Sequence, residues 1–417
     1  FTLPFNVPQG IETLYLSYRY PRRPENQQAQ NNGIFTTQTE TNVIDLGLID
    51  PRGKQVGASG SDKTEIHVSE ISASPGYTAG MIIPGEWKII VGAYKIASAG
   101  VDVEYTITLT PKQPRWLKGD LHTHTLASDG VHTLEELALK AKRHSLDFIA
   151  VTDHNQFVST DRMPSIEGVT MIPGVEFTHY DGHANFTGVD VPFEGTFATN
   201  DHDEILKLFR YAHDRGALIT INHPFDPACS FRLDMNMLPF DCIEIWNGPM
   251  RESNLRALGF WHQMLCKGNK IPAVGGSDYH RDTPFIFLGG PTTCVYANSP
   301  GKSDILMALR QGRCYISFAP NGPECELSCG KAMMGDSLPL TVNSTLKIVL
   351  EHLLAGDIVR VVTSERSDVI LTAPADGKAE LAYPVNTRGF ARVEVLRSFL
   401  PGIPQLPALI TNPIYFD

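Results

Sequence analysis

Three regions with different hydrophobic patterns follow one another along the chain. In roughly the first 112 residues, short runs of apolar residues alternate with turns rich in Gly, Pro, Asn and Gln, and no long amphipathic helix is evident. The predicted strands cover residues 13–18, 43–48, 87–91 and 103–109, and residues 27–32 are predicted to form an exposed mobile loop. This spacing of strands and turns predicts a β-sandwich over residues 1–112.

From residue 113 to about 320, apolar runs of strand length alternate with segments of helical periodicity. The sequence Thr133-Leu134-Glu135-Glu136 is typical of a capping box that begins a helix. Further helices are predicted over residues 204–215, 253–267 and 303–311. This alternation predicts an α/β fold with a (β/α) barrel.

After about residue 320 the chain returns to short strands with frequent Pro and Gly. The predicted strands are 324–328, 345–350, 357–363 and 391–397. We therefore expect a small β-domain over residues 321–417, packed against the barrel.

Histidines and carboxylates stand at the carboxyl ends of several apolar runs in the central region. His122 and His124 are separated by one residue in a predicted strand, so their side chains point to the same face. The other members of this set are Asp129, His154, Glu176, His183, His223, Asp278 and His280. In a (β/α) barrel these strand ends carry the active site. Imidazole and carboxylate ligands without thiolate suit Zn, Mn or Fe and disfavour a closed structural zinc site.

Each residue of this set also has a simpler interpretation. Asp129 suits an Asx turn, Asp278 suits the cap of a following helix, and His183 and His223 suit hydrogen-bonded core positions. A chance arrangement of the whole set at strand ends is much less favoured, so we expect a metal centre.

Five short motifs of the central region resemble, in this order, the PHP (polymerase and histidinol phosphatase) superfamily. They are Asp120-Leu121-His122-Thr123-His124-Thr125 with Ser128-Asp129-Gly130, Thr152-Asp153-His154-Asn155, Pro173-Gly174-Val175-Glu176, Asn222-His223-Pro224 and Gly276-Ser277-Asp278-Tyr279-His280. The match covers roughly residues 115–320. It implies a distorted (β/α)7-type PHP barrel over residues 113–320, flanked by the two β-domains.

Other segments refine this resemblance. Gly182-His183, Gly312-Arg313-Cys314-Tyr315 and Thr411-Asn412-Pro413-Ile414-Tyr415 resemble the carbaryl-hydrolase-like (CehA/McbA) branch of metallohydrolases. Residues 44–53 and Pro84-Gly85-Glu86-Trp87 resemble accessory jelly-roll domains attached to secreted peptidases and other hydrolases.

The resemblance implies two to three divalent metal ions, Zn, Mn or Fe. It assigns His122, His124, Glu176 and Asp278 to the first ion. Glu176 would bridge to a second ion that His183 and His223 also hold. Asp129, His154 and His280 would hold a third, weaker ion, because some family members have histidine in place of Asp129. His179 is an alternative to His183, which is preferred for its Gly-His-x-Asn context.

The expected reaction is hydrolysis of a small phosphomonoester or phosphodiester. The nucleophile would be a metal-bridged water held by Glu176, with Asp278 and His280. Candidate substrate contacts are Arg232, Arg281, Asn222 and Asn247. Arg251 is a further candidate anion contact, and Asp153 is expected to orient a ligand imidazole.

Two other functions stay open at this point. A metal-activated water also attacks carbonyl carbon, which makes a carbamate or amide hydrolase the first alternative. The second is a non-catalytic, metal-containing module that binds a glycan or a protein.

The net charge, the apolar stretches and the number of cysteines limit which partners and which cellular compartment we expect. The 417 residues carry a net charge of −11, so we expect a small-molecule substrate and no nucleic acid. No apolar stretch has the length of a membrane span, so we expect no membrane partner. Seven cysteines, an odd number, favour a reduced cytoplasmic protein. Because the chain begins with Phe1 rather than Met, a processed or exported form stays open, as does the oligomeric state.

Overall fold

The computed structural model describes residues 1–23, 40–191 and 193–417. It is a mixed α/β structure in which strands outnumber helices, and it divides into two compact units, Phe1–Gln113 and Pro114–Asp417. The loop predicted at residues 27–32 lies outside the described residues.

The Phe1–Gln113 unit consists of short antiparallel strands. They are β1 (Thr2–Val7), β2 (Ile11–Arg19), β3 (Val43–Ile49), β4 (Gln55–Ser59), β5 (Glu65–Ser69), β6 (Gly85–Lys95) and β7 (Glu104–Pro111). Four of them form a sheet in the order β1-β6-β3-β4, and three form a second sheet in the order β5-β2-β7. Alternate residues of both sheets, among them Leu14, Leu46 and Trp87, share one buried core, which is the arrangement of a β-sandwich.

The Pro114–Asp417 unit begins with strands that alternate with helices. The strands are β8 (Arg115–Thr123), β9 (Phe148–Val151), β10 (Thr170–Ile172), β11 (Gly174–His179), β12 (Gly182–Thr187), β13 (Leu218–Ile221), β14 (Cys242–Asn247), β15 (Ala273–Gly276), β16 (Thr292–Ala297) and β17 (Cys314–Ser317). The helices are α1 (Leu134–Arg143), α2 (His202–Asp214), α3 (Glu252–Cys266) and α4 (Lys302–Arg310). Two 3₁₀ turns cover Thr160–Arg162 and Met235–Met237.

Local sequence signals account for where two of the helices, α1 and α2, begin. The predicted capping box at α1 is confirmed: the Thr133 hydroxyl accepts a hydrogen bond from the Glu136 amide, and the Glu136 carboxylate accepts one from the Thr133 amide. The Asp201 carboxylate caps α2 by accepting from the Glu204 amide at 2.9 Å. The three other predicted helices correspond to α2, α3 and α4.

Parallel strands bring the motifs that carry the candidate metal ligands to one edge. Strands β8, β9 and β10 pair in parallel in one sheet, and β13, β14 and β15 pair in parallel in another. Two isolated parallel bridges, Thr123 to Tyr279 and His154 to Glu176, connect the two sheets at the carboxyl ends of their strands. The residues that follow β8, β9, β13 and β15 therefore lie close together.

The last part of the chain contributes strands only. They are β18 (Glu324–Cys329), β19 (Ala332–Met333), β20 (Ser337–Leu338), β21 (Thr345–Leu353), β22 (Ile358–Thr363), β23 (Ser367–Thr372), β24 (Gly377–Pro384), β25 (Gly389–Arg397), β26 (Leu406–Thr411) and β27 (Ile414–Phe416). Strand β26 pairs with β17, so an eleven-stranded sheet continues from β8 and β16 into this segment. Residues 321–417 thus belong to the same compact unit as β8–β17. The division at residue 320 stays a prediction.

Candidate metal centre

Glu176 lies at the centre of a cluster of imidazoles. It projects from β11 and is fully buried. Its Oε1 atom lies 3.3 Å from His122 Nε2, 3.2 Å from His183 Nδ1 and 3.4 Å from His223 Nε2. Its Oε2 atom lies 2.7 Å from His154 Nδ1. The two oxygens therefore face different histidines, as a bridging carboxylate requires.

A second carboxylate, Asp278, faces the histidine pair. Its Oδ1 atom lies 3.4 Å from His122 Nε2 and 3.1 Å from His124 Nε2. Because His122 and His124 alternate along the end of β8, both rings point to this carboxylate, as their spacing predicts.

Asp129 and His280 form the outer part of the cluster. Asp129 Oδ1 lies 3.1 Å from His280 Nε2 and 3.6 Å from His154 Nε2. His124 also offers a donor atom within 4.8 Å of the donor atoms of these three residues. The structure thus brings together all nine residues that the sequence analysis assigned to metal binding.

Several polar atoms in the cluster lie 3.1–3.4 Å from one another or from Glu176 Oε1, but none of them has hydrogen-bond geometry with a described residue. They are His122 Nε2, His124 Nε2, His183 Nδ1 and Asp278 Oδ1, all buried. Buried polar atoms in proteins are nearly always paired. Imidazole nitrogens and carboxylate oxygens that converge without partners fit divalent cations, which would use these lone pairs.

The electrostatics of the cluster point the same way. Burial lowers the pKa of His122, but Asp278, Glu176 and Glu244 outweigh burial and hold that pKa well above its usual range. Burial raises the pKa of Glu176, but the surrounding imidazoles, His122 foremost, bring it well below its usual range. Protons on imidazoles thus balance the carboxylates in the metal-free protein, and a bound cation would replace them.

Two residues of the cluster have left-handed backbones. The φ angle is 25° at His223 and 53° at Asp278. Such conformations are uncommon for residues other than glycine and concentrate at functional sites. Both residues follow parallel strands, and from these backbones the His223 ring faces Glu176 and the Asp278 carboxylate faces His122 and His124.

Glu244 and Cys229 belong to the cluster, although the sequence analysis did not select them. Glu244 Oε1 lies 3.1 Å from His122 Nδ1, and its Oε2 accepts a hydrogen bond from the His223 amide at 2.9 Å. Cys229 Sγ lies 3.5 Å from His223 Nδ1. An acidic residue inside the apolar run of β14 was the available signal for Glu244. Cys229 lies in a polar turn and carried no such signal.

The two candidate asparagines donate hydrogen bonds to carboxylates of the cluster. Asn222 is buried, and its amide group donates to Glu176 Oε1 at 2.9 Å. The Asn247 amide group donates to Glu244 at 3.2 Å and approaches Asp278 Oδ2 at 3.4 Å. These contacts orient the carboxylates. A substrate contact by either asparagine stays a prediction.

The candidate arginines lie nearer to the surface. Arg281 is exposed and approaches the Asp129 carbonyl oxygen at 3.3 Å. Arg251 donates to Asn247 Oδ1 at 2.9 Å. Arg232 is exposed, and its backbone amide donates to the Asp181 carbonyl. Their roles toward a substrate stay predictions.

The structure also shows the contacts of His179 and Asp153, two residues for which the sequence analysis considered a role. His179 accepts a hydrogen bond from the Asp181 amide at 3.1 Å, whereas His183 faces Glu176. Asp153 accepts hydrogen bonds from Thr125 and Ser128, so it holds the loop after β8 rather than a ligand imidazole.

Comparisons with known proteins give distant structural likenesses. No family model and no curated protein matches the chain. It is similar to a two-domain protein from Bacteroides vulgatus that contains a predicted PHP-like metal-dependent phosphoesterase. That likeness has 17% identity and a TM-score of 0.43, and covers 72% of this chain and 95% of that one.

Two further structures are less similar. One is a candidate metal-dependent phosphoesterase from Bifidobacterium adolescentis, with 14% identity, a TM-score of 0.32, and coverage of 46% of this chain and 96% of that one. The other is an amidohydrolase from Chromobacterium violaceum with bound sulfate and no metal, with 12% identity, a TM-score of 0.29, and coverage of 40% and 89%. At such low TM-scores these likenesses do not define the function of this chain.

The remaining expectations concern thiols and membranes. All seven cysteines are free thiols. Among the described residues, no helix combines the length and the apolar character that crossing a membrane requires.

Proposed function

We propose that the protein is a metal-dependent hydrolase of the PHP type that acts on a small phosphomonoester or phosphodiester. The observation that carries the proposal is the convergence of six imidazoles and three carboxylates around Glu176 and Asp278, with buried nitrogen and oxygen atoms left unpaired among the described residues. Structural zinc sites use closed sets of four ligands, often thiolates, whereas this set is larger and has mixed ligands.

The proposal includes an assignment of residues to two or three divalent ions. Glu176 would bridge two of them, because its Oε2 atom lies 3.7 Å from His124 Nε2 and its Oε1 atom lies 3.2 Å from His183 Nδ1. His122, His124 and Asp278 would complete the first site, and His183 and His223 the second. Asp129, His154 and His280 would form the third and weakest site, because Asp129 is the most exposed of these ligands.

When bound, such ions lower the pKa of a coordinated water and neutralise charge on a phosphoryl oxygen. Other residues of the chain would position the side chains that hold the ions. Asn222 fixes the orientation of Glu176, and Glu244 fixes the ring of His122. Arg281 lies at the exposed side of the cluster, where it would bind an anionic substrate.

The fold assignment belongs to the same proposal. Strands β8, β9 and β11–β15 would form the distorted (β/α)7-type barrel, and the motifs at their ends carry this assignment. The carbaryl-hydrolase-like branch stays part of the proposal because its Gly182-His183 motif places His183 next to Glu176.

A substrate panel tests the proposal. The protein, loaded with Mn or Zn, is assayed against phosphomonoesters, phosphodiesters and aryl carbamates. We expect hydrolysis of a phosphate ester, inhibition by inorganic phosphate, and loss of turnover in His124→Ala. His213→Ala, which removes an exposed histidine on α2, is the matched control and should keep full activity.

Each other outcome has a definite meaning. Turnover of an aryl carbamate without phosphate inhibition would assign the protein to the carbamate or amide hydrolases. Stoichiometric metal binding without turnover of any class would favour the non-catalytic binding module. Fewer than two ions per chain after reconstitution would contradict the bridged centre.

A further inference from the structure

A cavity with basic side chains in its walls lies at the opposite end of β15 from the candidate metal centre. Its volume is about 260 Å³, and its walls include Lys270, Arg310 and Arg313. Each of these cations has one carboxylate nearby: Asp417 lies 3.3 Å from Lys270, Asp241 lies 3.4 Å from Arg310, and Asp336 lies 3.5 Å from Arg313.

The cations of this cavity are incompletely paired. The Arg313 guanidinium lies 3.5 Å from Asp336 Oδ1, and its buried Nε atom donates no hydrogen bond to the described residues. Lys270 Nζ lies 3.3 Å from Asp417 Oδ1 and donates to the Ser337 hydroxyl. Charge-assisted N–H···O bonds are normally about 2.7–2.9 Å long, so both cations keep capacity for an anion.

Arg310 has a different part in the cavity. Its Nη2 atom donates to the Gly216 carbonyl at 2.9 Å and its Nε atom to Asp241 Oδ1 at 3.4 Å, so these two contacts anchor the side chain in the wall. The last turn of α4 does not oppose an anion strongly, because backbone amides of residues 311–313 already hydrogen-bond its terminal carbonyl groups.

The wall of the cavity includes backbone conformations that residues other than glycine rarely adopt. Gly312 and Gly335 have φ angles of 69° and 87°. A Cβ atom on Gly335 would lie 1.7 Å from the Gln311 carbonyl oxygen. The buried Asn412 side chain binds both the amide and the carbonyl of Ala273, each at 2.8 Å. The cavity therefore has a fixed shape, which reduces the entropy lost on binding.

We propose that this cavity binds a small multivalent oxyanion, of which inorganic phosphate is the simplest member. The volume lies below the roughly 300–1,000 Å³ of sites for drug-sized ligands, so the ligand is small. The planar guanidinium of Arg313 and the ammonium of Lys270 match the oxygens of such an anion. This site uses residues of the Gly312-Arg313 and Asn412 motifs, which the metal centre does not employ.

Calorimetric titration of the full chain with inorganic phosphate tests the proposal. Metals are removed beforehand with a chelator, so the proposed metal centre offers no metal ion to phosphate. We expect one phosphate per chain for the wild type. Arg313→Gln and Lys270→Gln should each weaken binding by about tenfold or more, since each removes charge-assisted hydrogen bonds. Lys347→Gln makes the same charge change on the exposed face of β21 and should bind like the wild type.

Three results would overturn the assignment. They are no phosphate binding by the metal-free wild type, unchanged affinity in both cavity variants, and equal loss in Lys347→Gln, which would indicate a general charge effect. Lys270 is 46% exposed, so its variant keeps the test valid if Arg313→Gln does not fold. Because metals are absent, failure here leaves the proposed hydrolase untouched.

Discussion

Glu244 shows how one buried carboxylate controls several ligands at the residue scale. It is 2% exposed, contacts the outward nitrogen of His122, and accepts a hydrogen bond from the His223 amide. A carboxylate on the second nitrogen of a ligand histidine fixes its tautomer and raises its basicity. Glu244 is thus a positioning residue for two of the proposed metal sites.

Substitution of this carboxylate by its amide tests that role. We expect Glu244→Gln to lower metal affinity by about 10–100-fold, measured by competition with a chromophoric chelator. Glu326→Gln, on an exposed position of β18, is the control with the same charge change. Unchanged affinity in a folded Glu244→Gln protein would show that the His122 tautomer is set elsewhere.

Cys229 has the corresponding position behind His223. The thiol lies 3.5 Å from Nδ1, on the side of the ring away from Glu176. We expect Cys229→Ala to lower the affinity of one metal ion and leave the others in place, as seen by stepwise metal titration. Cys266→Ala removes an exposed thiol on α3 and should change nothing. Equal weakening of every ion in Cys229→Ala would contradict the assignment of this thiol to His223.

At the scale of elements, Asp120 ties two strand ends together. It is fully buried in β8 and accepts hydrogen bonds from the amides of His122, Ser277 and Gly289. The end of β8 is thereby held to the segment after β15, which carries Asp278. The distance between the two groups of ligands depends on this carboxylate.

We expect Asp120→Asn to destabilise the fold by about 3 kcal/mol or more, since hydrogen bonds to a charged group contribute roughly 1.5–3 kcal/mol each. Metal affinity should fall as well, although Asp120 contacts none of the unpaired ligand atoms. Urea unfolding of the metal-free protein and metal titration measure the two effects. Asp62→Asn, at an exposed turn of the other unit, is the control. A loss of stability without loss of metal affinity would limit Asp120 to a structural role.

The secondary-structure elements also show which parts of this molecule can be predicted from its sequence. The start of α1 follows from Thr133 and Glu136, because a capping box is a local interaction. The ligands after β8 and β15 follow from alternation and from strand ends. The sequence analysis missed Glu244 because its partner His122 lies far away along the chain. It missed Cys229 because the turn around this residue has no recognisable pattern. The pairing of β17 with β26 joins residues about a hundred positions apart, and no local signal specifies it.

At the scale of the whole molecule, the centre links folding, metal binding and pH. In the metal-free protein the pKa values of His122 and His223 are held well above their usual range, despite burial, by nearby carboxylates and, for His223, first by Cys229. A raised histidine pKa stabilises the fold fully below the unfolded value, near 6.5, and this stabilisation is lost as the pH rises through the folded value.

The carboxylates act in the opposite sense. Burial raises the pKa of Glu176 and Asp278, but neighbouring imidazoles outweigh it and leave both below their usual range. Their contribution is present above the unfolded value, near 4, and is lost as the pH falls through the folded values. The metal-free protein should therefore be most stable at weakly acidic to neutral pH. It should lose stability both at lower and at higher pH.

Bound cations remove the dependence on protonated histidine, because they compensate the carboxylates directly and require neutral imidazoles. We therefore expect the difference in Tm between metal-loaded and metal-free protein to widen as the pH rises from about 6 to about 8, with protons released on binding. Calorimetry in two buffers of different ionisation enthalpy measures the release, and thermal scans measure the difference. His124→Ala, which lacks one ligand of the first proposed site, should show a smaller difference in Tm than the wild type. A constant difference in the wild type would mean that the imidazoles are already neutral without metal, and that the charge of Glu176 and Asp278 is balanced by other groups.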